Sequence, residues 1–438
     1  MNINTDGVVP LSLAPVAQIG MKIALGLHGF PSNRMVMCYG KPGGGKSSLL
    51  YQLAGEYEKN GDEVWIVDSE RAIDRLYLAS YFPFDNSSEE LINALKHFLK
   101  LSEKLLKEQT KASEEEKYLS KESIKTMETR VEILPVLIKE VKEGKTLEES
   151  SIGRRKAQAL VALAKAEYRI RNIRILKPAS MEDFEKETVK MIETRRADPE
   201  RRQRRLLIGV DSISSLLTED VLARTVSSEG SNFSASRYLH TLIPKMILKL
   251  AGTDTTMFFI YQQTTSIKMN PWEHRSAIDD VAAKGGSAAK FGSTFMIEVE
   301  KKKKIKGLDE QDVDTGTIVI TKAKLRGGGR GSLKGKFYLR ESLETSSMDF
   351  NEPFLIDVLT EGEFGVKKHR GTYYLPLLLI STHPLFKDEF EPKLKDFPHE
   401  EEGAKYLQCS EQEACKILLE SPAFEEACLD LYGITASV

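Results

Sequence analysis

Gly40-Lys-Pro-Gly-Gly-Gly-Lys-Ser47 fills every fixed position of the GxxxxGK[ST] pattern. The apolar run Met35-Val-Met-Cys-Tyr39 leads into it and Ser48-Leu-Leu-Tyr-Gln-Leu-Ala54 leaves it, so the pattern joins a strand to a helix. That context gives it physical content. Glycines let consecutive backbone N–H groups converge on an anion, and the following helix adds its positive N-terminal end. The stretch Gly40, Lys41, Pro42, Gly43, Gly44, Gly45, Lys46, Ser47 and Ser48 is expected to cradle phosphates. Lys46 would neutralise the outer two phosphates of a nucleotide, and the Ser47 hydroxyl would ligate Mg²⁺.

Working outward, short apolar strands alternate with helical patterns from Met35 to about Val299. Glu63–Asp68, Ile173–Leu176, Arg205–Asp211, Met257–Tyr261 and Phe295–Val299 read as strands, which implies a twisted, mostly parallel sheet flanked by helices. Between about Asn86 and Arg171 the strand signal stops. Apolar residues there fall at helical spacing, in stripes Leu91/Leu95/Phe98/Leu105, Ile124/Met127/Val131 and Leu160/Val161/Ala164/Tyr168, with Gly144 and Gly153 as breakers. This is expected to be a charged helical insertion, either solvated helices with no catalytic part or an arm contacting DNA or a partner. Beyond Val299, a lysine run and an acidic turn precede the strand Thr317–Thr321. Alternation at Lys334–Leu339 then suggests a hairpin closing the sheet. A small α+β C-terminal domain follows, with a hairpin around His369–Thr372 and a Pro/Asp/Glu-rich loop over Lys387–Gly403. The expected organisation is an N-terminal arm at 1–18, a core from 19–85 and 171–345, the insertion at 86–170 and a C-terminal domain at 346–438.

Composition narrows the class. No apolar run reaches the length of a membrane span, the first residues lack the features of a signal peptide, and the 4 cysteines show no metal-ligand spacing. The expected location is a reducing cytoplasm, with no membrane partner. A net charge of −2 leaves any nucleic-acid contact to local basic patches.

A nucleotide hydrolase needs a second carboxylate near its metal and a base for the attacking water. Asp211 ends the strand from Arg205 and is the candidate metal support, although strand-ending aspartates also act as caps. Glu70, in Val67-Asp-Ser-Glu70, is the candidate base, with capping of the next helix by Glu70 or Asp68 as the alternative. Lys322 and Lys324 point the same way on one strand, which suits an anion lying between them; an exposed basic edge strand is the alternative.

The string Val67-Asp-Ser-Glu-Arg-Ala-Ile-Asp-Arg-Leu-Tyr77 resembles the RecA-type recombinases. The resemblance implies a RecA-like P-loop ATPase core with Glu70 catalytic and Asp74 and Tyr77 contacting the adenine. Phe259-Ile-Tyr-Gln262 resembles the strand ending in that family's γ-phosphate sensor, here Gln262, with Tyr261 where the family often has asparagine. Gly285-Gly-Ser-Ala-Ala-Lys-Phe291 is similar to the segment closing the family's second DNA loop, and Thr321-Lys-Ala-Lys324 to the lysine pair reaching a neighbouring subunit's ATP. DNA contact is then expected from Arg224, Ser228 and Asn232 in one loop, and from Lys268, Trp272, Arg275, Gly285 and Gly286 in another. Phe354–Leu359, Gly365–Tyr374 and Leu418–Ala427 resemble the C-terminal domain of the UvsX-type recombinases of T-even bacteriophages. The resemblance implies an ATP- and Mg²⁺-dependent recombinase. It would polymerise on single-stranded DNA, pair homologous duplex, and hydrolyse ATP between adjacent protomers in the host cytoplasm. Mediator and single-strand-binding proteins would be its partners. A hexameric replicative helicase of the same superfamily is the alternative.

Overall fold

The computed structural model describes residues 13–115, 121–223, 233–262, 292–323, 333–342, 344–397, 404–432 and 434. The chain divides into two compact units. The first takes 1–72, 175–341 and 347–438; the second takes 73–174 and 342–346.

In chain order the strands and helices are β1 (Leu13–Pro15), α1 (Ile19–Leu25), β2 (Gly29–Pro31), β3 (Arg34–Gly40), α2 (Lys46–Lys59), β4 (Glu63–Asp68), α3 (Arg75–Ser80), α4 (Ser88–Glu115), α5 (Lys121–Lys142), α6 (Arg154–Arg169) and β5 (Ile173–Leu176). There follow α7 (Met181–Ala197), α8 (Pro199–Arg202), β6 (Leu206–Asp211), α9 (Glu219–Leu222), α10 (Phe233–Leu250), β7 (Thr255–Gln262), β8 (Phe295–Lys306), β9 (Asp312–Ala323), β10 (Leu333–Arg340) and β11 (Ser347–Asp349). The remainder is α11 (Asn351–Glu361), β12 (Lys367–His369), β13 (Thr372–Pro376), α12 (Leu377–Ile380), β14 (Leu394–Asp396), β15 (Lys405–Cys409), α13 (Glu411–Leu419) and α14 (Pro422–Leu431).

The first unit is built on a nine-stranded sheet in the order β11-β10-β9-β8-β3-β7-β6-β4-β5. Strands β8, β3, β7, β6 and β4 run parallel, as expected from their near-continuous apolar sequences. Met35, Met37 and Tyr39 of β3 pack with Ile208, Val210, Met257 and Phe259 against Phe184 and Met191 of α7 and Leu242 and Met246 of α10. Between β6 and α2 the packing is tight: a Cβ on Gly209 would come within 2.3 Å of the Leu50 side chain.

Parallel register sets up the site. It places Gly40 opposite Gln262 and Asp68 opposite Asp211, so the carboxyl ends of β3, β7, β6 and β4 finish level with one another. Such an edge is where open α/β sheets collect their ligand-binding groups.

Two sequence expectations change here. The lysine run after Val299 is not a connection: β8 continues to Lys306 and pairs antiparallel with β9 from Asp312. Two of its lysines pair with acids across the ladder, Lys301 2.6 Å from Asp314 and Lys306 2.8 Å from Asp312, pairing that steadies adjoining strands. The Lys387–Gly403 segment likewise contains a strand, β14, paired with β15 in the four-stranded sheet β12-β13-β15-β14. That smaller sheet shares one core with α1: Ile19 and Ile23 are buried with Leu355, Tyr373, Leu375, Leu407 and Leu418. The α1 contact is fixed by Gln18, whose side chain donates to the Met348 carbonyl at 2.9 Å and accepts from the Phe350 N–H at 2.6 Å.

The second unit has its own core, made by α4, α5 and α6. Leu95 and Phe98 meet Leu134, Leu137, Ile138 and Val141, and these meet Ala157, Leu160, Val161 and Ala164. The apolar face of α5 is therefore centred one to two turns beyond Ile124, Met127 and Val131, across a helix that runs through Pro135. Gly144 and Gly153 bracket the connection at φ +77° and +89°, values that favour glycine.

Among the described residues no helix is long and apolar enough to cross a membrane. All four cysteines are buried free thiols.

Candidate functional site

The glycine-rich loop leaves β3 at Gly40 and enters α2 at Lys46. Two of its glycines are obligatory for different reasons. At Gly40 (φ +152°) a Cβ would sit 2.2 Å from the Val299 carbonyl oxygen of the neighbouring strand. Gly45 is the residue before α2 and has φ +94°, a left-handed value that turns the chain into the helix. No side chain caps α2, so its first-turn N–H groups are not taken up by a capping residue.

Lys46 is only 6% exposed, and its ammonium donates to the carbonyls of Gly40 (3.0 Å) and Lys41 (2.7 Å). Burial lowers its pKa, and the nearby Asp211 and Glu70 carboxylates oppose that shift. An ammonium has three donors, so two loop carbonyls leave one to spare among the described residues. Ser47 donates to Asp211 Oδ2 at 2.6 Å, bringing the first turn of α2 to the end of β6. Burial raises the Asp211 pKa. The Ser47 hydroxyl and the Lys46 charge resist the rise, and the Glu70 carboxylate adds to it. Ser48 is buried on the next position of the helix. Pro42, Gly43 and Gly44 form the turn between, with Gly43 at φ +70°.

Glu70 lies beyond β4, exposed, with its Oε1 accepting from Ser212 Oγ at 2.7 Å and from Gln262 Nε2 at 2.5 Å. The structure thus brings together, at one sheet edge, Lys46, Ser47, Asp211, Glu70 and Gln262. Asp68 ends β4 beside Asp211; it accepts the Ala72 N–H at 3.0 Å and lies 3.5 Å from the Lys177 ammonium.

Asp74 and Tyr77 belong to the second unit. Asp74 is the N-cap of α3, accepting from the N–H groups of Leu76 and Tyr77, so neither Glu70 nor Asp68 fills that role. The Tyr77 hydroxyl is 2.9 Å from that of Tyr81. Lys322 is a half-buried residue of β9, opposite Met296 in the ladder. Lys324, Arg224, Ser228, Asn232, Lys268, Trp272, Arg275, Gly285 and Gly286 lie outside the described residues.

Sequence reasoning passed over the hydroxyls of Asp211-Ser-Ile-Ser-Ser215. Ser212, Ser214 and Ser215 cluster with Ser69 beside the Glu70 carboxylate, which Ser212 touches. Three serines in the four residues after a strand-ending aspartate were the available signal.

Comparison with known proteins fits this geometry over a limited span. Residues 1–85 match the RecA N-terminal domain family. The RecA protein of Porphyromonas gingivalis (strain ATCC 33277) is 36% identical over 77 residues, 18% of this chain and 23% of that protein. The RecA protein of Bacteroides thetaiotaomicron is 33% identical over 79 residues (18% and 24%), and that of Sinorhizobium medicae 38% over 72 (16% and 20%). The chain thus spans less than a quarter of the length of these relatives. The likeness supports a RecA-type assignment for the segment carrying β3, the glycine-rich loop, α2, β4 and Glu70.

Proposed function

We propose that the chain is an ATP-dependent DNA recombinase of the RecA type, nearest the UvsX-type recombinases of T-even-like phages. In this reading it polymerises on single-stranded DNA, pairs homologous duplex, and hydrolyses ATP between adjacent protomers. The observation that carries the reading is the gathering of Lys46, Ser47, Asp211, Glu70 and Gln262 at the carboxyl ends of adjacent parallel strands.

Each residue has a part that its surroundings suit. The loop N–H groups and the spare donor of Lys46 bind the phosphate chain. Ser47 and Asp211 offer a hydroxyl and a carboxylate 2.6 Å apart, hard oxygen donors that fit Mg²⁺. That ion, when bound, offsets phosphate charge. Glu70 takes the proton of the attacking water, and Gln262, bonded to Glu70, reports the outer phosphate to the DNA-contacting loop that follows β7. Asp74 and Tyr77 contact the adenine, and Lys322 and Lys324 complete a neighbour's site, which makes turnover depend on assembly. DNA contact falls to Arg224, Ser228 and Asn232 and to Lys268, Trp272, Arg275, Gly285 and Gly286, with mediator and single-strand-binding proteins as partners.

The test is joint-molecule formation between single-stranded DNA and homologous duplex with ATP and Mg²⁺, using Lys46→Ala as control. Joint molecules with the parent chain and none with the variant are expected. DNA-stimulated hydrolysis without pairing would overturn the recombinase reading, and unwinding of a forked duplex by closed rings would replace it with a hexameric helicase.

A further inference from the structure

Glu70 is an exposed side chain with several rotatable bonds, and a base serves only if its carboxylate is held in place. Three strand ends supply the hold. Ser212, fully buried after β6, donates its hydroxyl to Glu70 Oε1 at 2.7 Å. A carboxylate only accepts, so the single Ser212 proton is committed to it. The contact between Ser212 and Ser214 (3.0 Å) must then carry the Ser214 proton toward Ser212. Ser214 Oγ in turn accepts the backbone N–H of Gln262 at 3.3 Å, and the Gln262 side chain returns to Glu70 Oε1 at 2.5 Å. The result is a closed ring, Gln262 N–H to Ser214 to Ser212 to Glu70, with the Gln262 amide closing it. Every hydroxyl dipole points to the carboxylate, an arrangement in which each bond polarises the next.

The ring is braced from below. Hydroxyls of Ser69 and Ser215 each lie 2.6 Å from the Ser212 carbonyl oxygen and 2.7 Å from each other, fixing the backbone that presents the Ser212 hydroxyl. Both ring donors converge on Oε1, and among the described residues Oε2 accepts no hydrogen bond. One oxygen anchors the side chain and the other is left for chemistry.

We propose that Ser212 and Ser214 are positioning residues for the hydrolytic step: they hold Glu70 through Oε1 so that Oε2 meets the attacking water, and they tie that orientation to the end of β7 where Gln262 sits. The inference rests on the reading of Glu70 as the base of an ATPase. It assigns a task to two hydroxyls that have no part in the phosphate and metal contacts proposed for Lys46, Ser47 and Asp211.

The test is steady-state ATP turnover with saturating single-stranded DNA for the parent chain, Ser212→Ala, Ser214→Ala and Ser214→Thr, with thermal midpoints measured in parallel. Ser212→Ala is expected to lower kcat about 10- to 100-fold, with KM for ATP within about twofold, the loss of one hydrogen bond to a charged group. Ser214→Ala should cost less, about 3- to 10-fold, because Gln262 still holds Glu70 directly. Ser214 is half-buried, so the threonine hydroxyl can take its place, and Ser214→Thr should return kcat to within about twofold of the parent. Should Ser212→Ala fail to fold, the two Ser214 variants decide alone. Unchanged kcat in the alanine variants, a loss confined to KM, or no rescue by threonine would overturn the positioning role and leave the ATPase reading standing. A parent chain that binds ATP but turns none over would overturn the ATPase reading itself.

Discussion

The carboxyl edge of the large sheet and the inserted helical unit spend charge in opposite ways. At the sheet edge, Lys46 is buried and Asp211 half-buried, with Ser47 beside them, burial pushing the lysine pKa down and the aspartate pKa up. Each is held in a form that costs the fold and suits an anionic ligand with a cation. In the inserted unit the core is apolar, and ion pairs such as Lys104–Glu108 and Lys139–Glu143 lie on the outside, where they contribute little. The difference separates residues kept for chemistry from residues kept for folding.

Variants should break along that line. The largest effect is expected for Asp211→Asn, which keeps an acceptor for Ser47 but removes the carboxylate. Turnover should fall roughly 100- to 1,000-fold, while thermal stability at neutral pH holds or rises. The sign follows from the raised pKa: in the fold the ionised carboxylate is disfavoured, so above its unfolded pKa it subtracts stability, and an amide does not. A matched loss of stability and turnover would mean that Asp211 serves the fold.

The converse variant is Leu137→Ala in α5, fully buried in the core of the second unit. It should cost about 2–5 kcal/mol in that unit, read as lost hydrogen-exchange protection in α4, α5 and α6, with ATP turnover within about twofold of the parent. A large drop in turnover with the second unit still protected would blur the distinction.

The smallest effect concerns a strongly shifted acid of the second unit, Glu140. Glu140 accepts from the Ser150 hydroxyl at 2.6 Å and the Ser151 N–H at 2.9 Å, bonds that lower its pKa to about 2. A depressed carboxylate adds stability above its unfolded pKa and loses it as pH falls toward the folded value. Acid unfolding of α5 and α6 should therefore set in between about pH 4.5 and 2, and Glu140→Gln should flatten that dependence. An unchanged acid limb would assign the transition to other carboxylates.

How far the sequence could be read follows the same division. The glycine-rich loop was legible because its backbone conformations restrict Gly40 and Gly45 to glycine at fixed spacing. The strands carrying Asp211 and Gln262 were legible as buried parallel strands with polar ends. The ring around Glu70 was not, because its members lie 142 and 192 residues from it and meet only through the register of β4, β6 and β7. In the insertion, the helical period was plain, but Pro135 obscured the turn from Leu134 to Val141. Its ring is on the exposed side, and the helix continues past it. β14 hid in a Pro- and acid-rich stretch because its partner β15 supplies most of the apolar surface.

The central claim is that Glu70 makes the glycine-rich loop an ATPase answering to DNA. It is tested most directly by ATP turnover of the parent chain and Glu70→Gln, with and without single-stranded DNA, ATP binding being checked in both. The account predicts turnover in the parent that rises at least about tenfold on DNA, and a loss of roughly 100- to 10,000-fold in the variant with binding retained. Turnover indifferent to DNA, or a Glu70→Gln variant that hydrolyses ATP like the parent, would contradict it.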